Sequence, residues 1–300
     1  QDRLPANIYS RVQEWLGDDD EPSQAMSLAD ILGPQVPSMT QSMALIDGRA
    51  YAASQYPDQK GKPQPIIVRD DMTIFSALKD TQDLGRLPFS LNLNLSSLGQ
   101  ERWFANSTQP DPIDVFNEMM RVLDQFMDFD RSFGTQQEMR ELAVCYAMGT
   151  WFLPAFGTIG YLFANGAAGS GKTKFLEVMS KLCFRAQILA GTSTTPALRE
   201  RASLGGTICL DDDESLGQKG GERMSLLLTS NRRGSETILR EGQKGNTWAN
   251  RTVDAFCPFV ISAINRPYET LAQRSIIIRI VRSGDAEKTA RVRIPDQACH

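Results

Sequence analysis

Histidine is all but missing from this 300-residue chain; the only one is His300, the last residue. Histidine-based triads, histidine metal sites and histidine nucleophiles are therefore excluded. Cysteine is sparse too. Cys145, Cys183, Cys209, Cys257 and Cys299 stand singly, mostly inside apolar runs, and no pair has zinc-ligand spacing. An odd, scattered set argues against a disulfide framework and for a reducing, cytoplasmic compartment. Gln1–Trp15 has no apolar core behind a basic start, so no signal peptide is expected there. Neither sign of charge dominates: 32 Lys and Arg face 36 Asp and Glu, a net of -4. Nucleic-acid contact would have to come from a local basic patch.

Charge itself is absent from Leu142 to Gly171. A membrane span needs only about 20 apolar residues. Gly149, Pro154, Gly157 and Gly160 interrupt this stretch, which is read as a core helix, a loop and a buried strand. The 41% apolar content suits a globular chain with a real core, and no membrane association is expected.

Residues 1–110 are expected to form a small α+β accessory region without repeats or a catalytic constellation. "SMALIDGRAYAASQY" and "PIIVRDDMTIFSAL" are β-like runs separated by the turn cluster "PDQKGKPQ", which predicts a hairpin. Residues 111–157 read as a helical linker packing on the domain that begins at residue 158. Asp111 and Pro112 suit the N-cap and first position of a helix whose Val115, Phe116, Met119, Leu123, Phe126 and Met127 fall three or four apart. Thr135 and Glu138 make a capping box for a second helix ending before Pro154. From residue 158 strands and helices alternate. Strands are predicted at 159–164, 187–190, 207–210, 259–264 and 276–281, with helices at 172–184, 196–203 and 222–231. That alternation implies a mostly parallel α/β sheet covered on both faces.

The stretch Gly166-Ala167-Ala168-Gly169-Ser170-Gly171-Lys172-Thr173 satisfies G-x-x-x-x-G-K-[ST] between an apolar run and a helical pattern. Glycines let successive backbone N–H groups turn inward onto phosphate oxygens, and the following helix N-terminus adds to their pull. Lys172 would reach the β- and γ-phosphates of ATP, and the Thr173 hydroxyl would ligate Mg²⁺. "GGTICLDDDESL" supplies the carboxylates such chemistry needs. Asp211, first after the apolar run, is the expected metal-side acid; Asp212 and Glu214 compete as the base for the attacking water. Further on, Asn265 ends a buried strand and could reach the γ-phosphate, or could simply form a turn. Arg274 precedes the last strand and alone reads equally well as a surface cation.

The order of the glycine loop, "ICLDD", a basic hairpin region, "ISAIN" and then "ETLAQR" resembles superfamily 3 and related primase-helicase ATPases of viruses, phages and plasmids. The resemblance covers roughly residues 112–282. It implies an AAA+-like P-loop NTPase core over 158–300, with Asn265 as sensor 1 and Arg274 as an arginine finger for the neighbouring subunit's site. Arg232 and Arg233 are rivals for that trans arginine. The resemblance also implies a homo-oligomeric, hexameric ring acting as a replicative DNA helicase of a mobile element. A primase or polymerase module is expected outside this chain, which ends at "RIPDQACH" soon after the last predicted strand. One departure is Asp212, where many such ATPases have glutamate.

From Lys219 to Arg251 seven Lys and Arg face three acids, a net of +4 within a chain of net -4. "TILRE" and "TWANRTVDAF", joined by "GQKGN", predict a hairpin with Lys244 near its tip. By the same likeness Lys244 is the residue that grips single-stranded DNA, with Trp248 stacking on a base and Arg232 and Arg233 nearby. The competing reading of the hairpin is a solvated surface element. Two other readings of the chain stand beside the motor: an ATPase that remodels or assembles protein complexes, and a nucleotide-binding module with little turnover.

Overall fold

The computed structural model describes residues 43–46, 48–57, 63–71, 73–76, 110–211, 214–217, 220–243 and 247–290. The chain divides into two compact units, 1–110 (joined by residue 300) and 111–299. In the first, β1 (Met43–Ile46), β2 (Arg49–Pro57), β3 (Pro63–Arg69) and β4 (Ile74–Ser76) form an antiparallel meander in that order. The predicted single hairpin is therefore corrected to three. Each β-like run folds back on itself, at Gly48 in the first and at Asp70-Asp71 in the second. Arg69 braces the second bend through Asp71 Oδ1 at 2.9 Å and Thr73 Oγ1 at 3.0 Å. Tyr51, Ala53, Ile66, Ile67 and Ile74 are buried in this unit.

The second unit opens with helices α1 (Pro112–Phe126) and α2 (Gln136–Trp151). Asp111 caps α1 by accepting from the Ile113 amide at 2.8 Å, with proline at the first position where no N–H is needed. Thr135 and Glu138 close the predicted capping box on α2. Next come β5 (Tyr161–Asn165), α3 (Lys172–Leu182), β6 (Gln187–Ala190), α4 (Thr195–Ala202) and β7 (Ile208–Asp211). After a 3-10 turn at Glu214–Gly217 follow α5 (Glu222–Ser230) and the strands β8 (Glu236–Gln243) and β9 (Thr247–Asp254). The unit closes with β10 (Phe259–Ala263), α6 (Glu269–Ala272), β11 (Ser275–Arg279) and α7 (Ala286–Ala290). The bounds of β6 are the predicted ones, and the ends of the other four strands lie within two residues of theirs; Asp211, for one, is the last residue of β7 and not the first beyond it.

Five of these strands make one sheet, β11-β5-β10-β7-β6, with every neighbouring pair parallel. Alternate residues serve two cores. Leu162, Ala164, Cys209, Val260 and Ile278 pack with α1, α2 and α3 through Leu123, Phe126, Val144, Phe175 and Met179. Tyr161, Phe163, Ile208, Leu210, Phe259 and Ile261 pack on the other face with Leu198 of α4 and Met224, Leu226 and Leu227 of α5. Each of the buried Leu, Ile, Val, Phe and Met side chains contributes about 1.5–3 kcal/mol of hydrophobic stabilisation, which explains why the central strands are apolar on both faces. The helices of residues 112–151 thus share one core with the sheet. The uncharged stretch divides as predicted into helix, turn and strand, and no helix among the described residues is long and apolar enough to cross a membrane. Cys183, Cys209 and Cys257 are buried, and burial pushes the Cys183 and Cys257 thiols up to about 12, so they act as packing groups.

The strand order positions the site. From β5 the chain runs through α3 to one edge of the sheet, β6; from β10 it runs through α6 to the other edge, β11. The adjacent strands β5 and β10 therefore send their connections in opposite directions. At such a point the outgoing loops part and leave a crevice beyond the carboxyl ends of the strands.

Candidate functional site

The loop from Gly166 to Gly171 leaves β5 at that crevice and enters α3. Its turn is tight. A Cβ on Gly166 would lie 2.5 Å from Ser170 Oγ and 2.6 Å from the carbonyl oxygen of Ile280, so no larger residue fits without backbone movement. Gly171, with φ 99°, enters the helix in a left-handed conformation and offers no side chain to cap it. The first amides of α3 are thus left for another acceptor. The Ser170 hydroxyl is buried with no hydrogen-bond partner among the described residues. Lys172 is 8% exposed, and its ammonium donates to the carbonyls of Gly166 at 2.9 Å and Ala167 at 3.0 Å. The loop therefore curls around its own lysine.

Asp211 closes the crevice from β7. Thr173, the second residue of α3, donates its hydroxyl to Asp211 Oδ2 at 3.1 Å. Ser262 of β10 donates to Asp211 Oδ1 at 2.7 Å. Asn165, the last residue of β5, is 7% exposed and donates its amide to the carbonyl of Ile264 at 2.7 Å. Neither Asn165 nor Ser262 was singled out from the sequence. The available signal was a polar residue inside an otherwise apolar strand, where an unpaired hydroxyl or amide would cost free energy.

No group of three or more His, Cys, Asp or Glu among the described residues could hold a metal ion. Asp211 with Thr173 offers one carboxylate and one hydroxyl. That donor set suits Mg²⁺, which binds through one or two carboxylates and keeps waters and substrate phosphates as its other ligands.

The remaining candidates are distributed as follows. Asn265 follows β10 directly after Ile264, is exposed, and lies against the 3-10 turn, its Cβ 3.4 Å from where a Cβ on Gly217 would stand. Arg274 sits at the other end of the sheet. Its carbonyl accepts from the Tyr161 amide at the start of β5, and its guanidinium donates to the carbonyl of Thr270 at 2.8 Å. Five strand residues at about 3.3 Å each separate that level from Gly166, roughly 17 Å. Arg274 therefore does not meet the loop of its own chain. Arg232 is exposed and pairs with Thr158 through an isolated bridge. The Arg233 guanidinium donates to the carbonyls of Leu153 at 3.0 Å and Phe156 at 3.3 Å, and lies 4.7 Å from the centre of the Phe256 ring. It thus joins the 3-10 turn after α2 to the segment between β9 and β10.

The predicted basic hairpin exists as β8 and β9, paired antiparallel with Gln243 opposite Thr247. Lys244 lies outside the described residues, as does Asp212. Only the backbone is described at Glu214, in the 3-10 turn, and at Trp248, opposite Gly242 in β9.

A cavity of about 270 Å³ adjoins the loop, lined by Asp130, residues 166–170 and residues 279–282. Arg279 and Asp130 face each other there at 3.4 Å. The Ser132 hydroxyl and amide hold the Asp130 carboxyl below its ordinary value, so it is a fixed negative charge at neutral pH.

No protein-family model matches the chain, and no curated protein matches it. Among solved structures, a JCV helicase crystallised with a thiazolopyridinyl-phenoxyphenyl acetamide is similar over 56% of this chain, at 15% identity and a TM-score of 0.28. The match covers 52% of that helicase chain, about half its length.

Proposed function

We propose that the chain is an ATP-hydrolysing, ring-forming nucleic-acid motor with an AAA+-like P-loop core, a replicative DNA helicase of a mobile element. One observation carries the reading: a glycine loop folded around Lys172 stands beside a hydroxyl and a carboxylate, Thr173 and Asp211, that meet at 3.1 Å in a switch-point crevice. These are the parts that phosphoryl transfer from a nucleoside triphosphate requires, because its catalysis is positioning plus charge stabilisation.

In this reading the amides of Gly166–Thr173, the Ser170 hydroxyl and the Lys172 ammonium bind the β- and γ-phosphates. The nucleoside would sit in the neighbouring cavity, whose lining includes Asp130 and Arg282. Thr173 and Asp211 would hold Mg²⁺, which would supply positive charge against the phosphoryl oxygens. Asp212 or Glu214 takes the proton of the attacking water, and Asn265 orients that water from the end of β10. Arg274, at the far end of the sheet, serves the site of an adjoining copy, which supports a ring closed by head-to-tail contacts. The hairpin β8–β9 holds the DNA strand through Lys244 and Trp248, with Arg232 and Arg233 at its base.

The test is ATPase activity with and without single-stranded DNA, run beside a mass measurement with nucleotide present. The expected result is DNA-stimulated turnover by an oligomer, abolished in Lys172→Ala and reduced to its unstimulated level in Lys244→Ala. A folded protein that takes up no ATP would end the proposal. Turnover stimulated by a protein substrate and indifferent to DNA would replace the motor by a remodelling ATPase.

A further inference from the structure

Ser262 lies in the sheet layer of the second unit, fully buried on the central strand β10. Its position follows from register. Val260 pairs with Cys209 and Ile261 with Leu210, so the next residues along, Ser262 and Asp211, come side by side. Parity puts both on the α3 face, because Val260 and Cys209 belong to the core that includes Phe175 and Met179 of α3. The hydroxyl donates to Asp211 Oδ1 at 2.7 Å, while Thr173 approaches Oδ2 at 3.1 Å.

A half-buried aspartate at a strand end has two free torsions, and an unheld carboxylate samples several orientations. A charge-assisted hydrogen bond from a buried, immobile donor removes that freedom at little entropic cost, since the serine is already fixed by the sheet. Asn165 secures the same strand from the other side through the carbonyls of Ala263 and Ile264, at 3.4 and 2.7 Å. The carboxyl end of β10 is thereby tied to the acid on β7 and to the glycine loop on β5.

We infer that Ser262 is a positioning residue, which fixes the Asp211 carboxylate in the orientation that receives Mg²⁺. This rests on the nucleotide reading proposed for the site and adds a residue to it. Outer partners of metal-binding side chains change metal affinity by about 10–100-fold when removed. Ser262→Ala should therefore raise the Mg²⁺ concentration needed for half-maximal binding of a non-hydrolysable ATP analogue by that factor. Binding of the same analogue in EDTA, which depends on the loop and Lys172, should be unchanged. Ser262→Thr, which keeps the hydroxyl, should restore the Mg²⁺ requirement.

Calorimetric titration of the analogue at a series of Mg²⁺ concentrations reads all three, with thermal melting as the check on folding. Should Ser262→Ala fail to fold, Ser262→Cys, close in size and a weak donor, gives the same comparison. Analogue binding by the parent with an unchanged Mg²⁺ requirement in the variant overturns this inference alone. A parent that binds no analogue at all overturns the nucleotide reading and this inference with it.

Discussion

Thr173 and Asp211, 38 residues apart in the chain, meet at 3.1 Å at the carboxyl edge of the parallel sheet. One opens α3 and the other ends β7, so their meeting is a property of how β7 and β5 flank β10. It brings the one described carboxylate of the acidic run to the mouth of the loop that surrounds Lys172.

Removing the charge of Asp211 while keeping its shape isolates its role. Asp211→Asn should lower Mg²⁺-dependent ATP turnover on the order of 10²-fold, the scale of losing one electrostatic partner of a developing charge. Thr173→Ala should do likewise, whereas Thr173→Ser should stay near the parent. Steady-state hydrolysis across a Mg²⁺ series checks this, and full activity of Asp211→Asn would remove Asp211 from the proposed metal site.

Gly166→Ala puts a methyl group against the Ile280 carbonyl, which is backbone and cannot swing aside. Overpacking of this kind costs about 1–3 kcal/mol, and loop distortion should also weaken ATP binding. Gly157→Ala, with nothing within 4 Å of the new methyl, is the control and should stay within about 0.5 kcal/mol of the parent. Equal denaturation midpoints for the two variants would contradict the tight turn.

Arg185 is 6% exposed, its Nε and Nη2 have no hydrogen-bond partner among the described residues, and its φ of 44° lies in the left-handed region. Burial, with the charge of nearby Arg201 adding to it, pushes its guanidinium down to about 10. Arg185→Met keeps the stem and a contact with the Phe184 ring, which lies 5.2 Å from the guanidinium carbon. Loss of the unpaired donors should raise stability by about 1–3 kcal/mol in a urea titration. A large loss of stability instead would show that the Arg185 guanidinium has an acceptor in the folded protein.

Asp128 ties α7 to the end of α1 by accepting from Lys288 at 2.9 Å and from the Ser283 hydroxyl at 2.5 Å. Burial raises its carboxyl, but these two hydrogen bonds and the charges of Lys288 and Arg140 outweigh that and bring it below 3.8. A carboxyl depressed on folding adds stability above its unfolded value, and that stability is lost as pH falls through the folded value. Lys288→Met should therefore be less stable than the parent at pH 7, by about 1 kcal/mol for this half-buried pair. The difference should close as pH drops below 3.8. Urea midpoints at pH 7 and pH 3 test this; an equal gap at both would exclude the ion pair as its source.

Much of the second unit was legible residue by residue. Asp111-Pro112 and the Thr135–Glu138 box start helices because a missing or capped N–H is a local matter, decided within one turn. The alternation of apolar runs with helical periods gave a parallel sheet for the same reason: crossover helices bury both faces. Local signals did less well near the amino terminus. There the apolar runs were long enough to hide two reversals, at Gly48 and Asp70-Asp71, and one expected hairpin became a four-stranded meander.

Composition and spacing along the chain were enough to specify the glycine loop between a strand and a helix, the helix caps and the acidic strand end. These are properties of a residue and its immediate neighbours. Strand order belongs to the folded chain, because a hydrogen-bonded sheet pairs segments with no regard to their distance in sequence. That order alone set β10 between β5 and β7, joined Ser262 to Asp211 and Asn165 to Ile264, and carried Arg274 to the far end of the sheet from the loop.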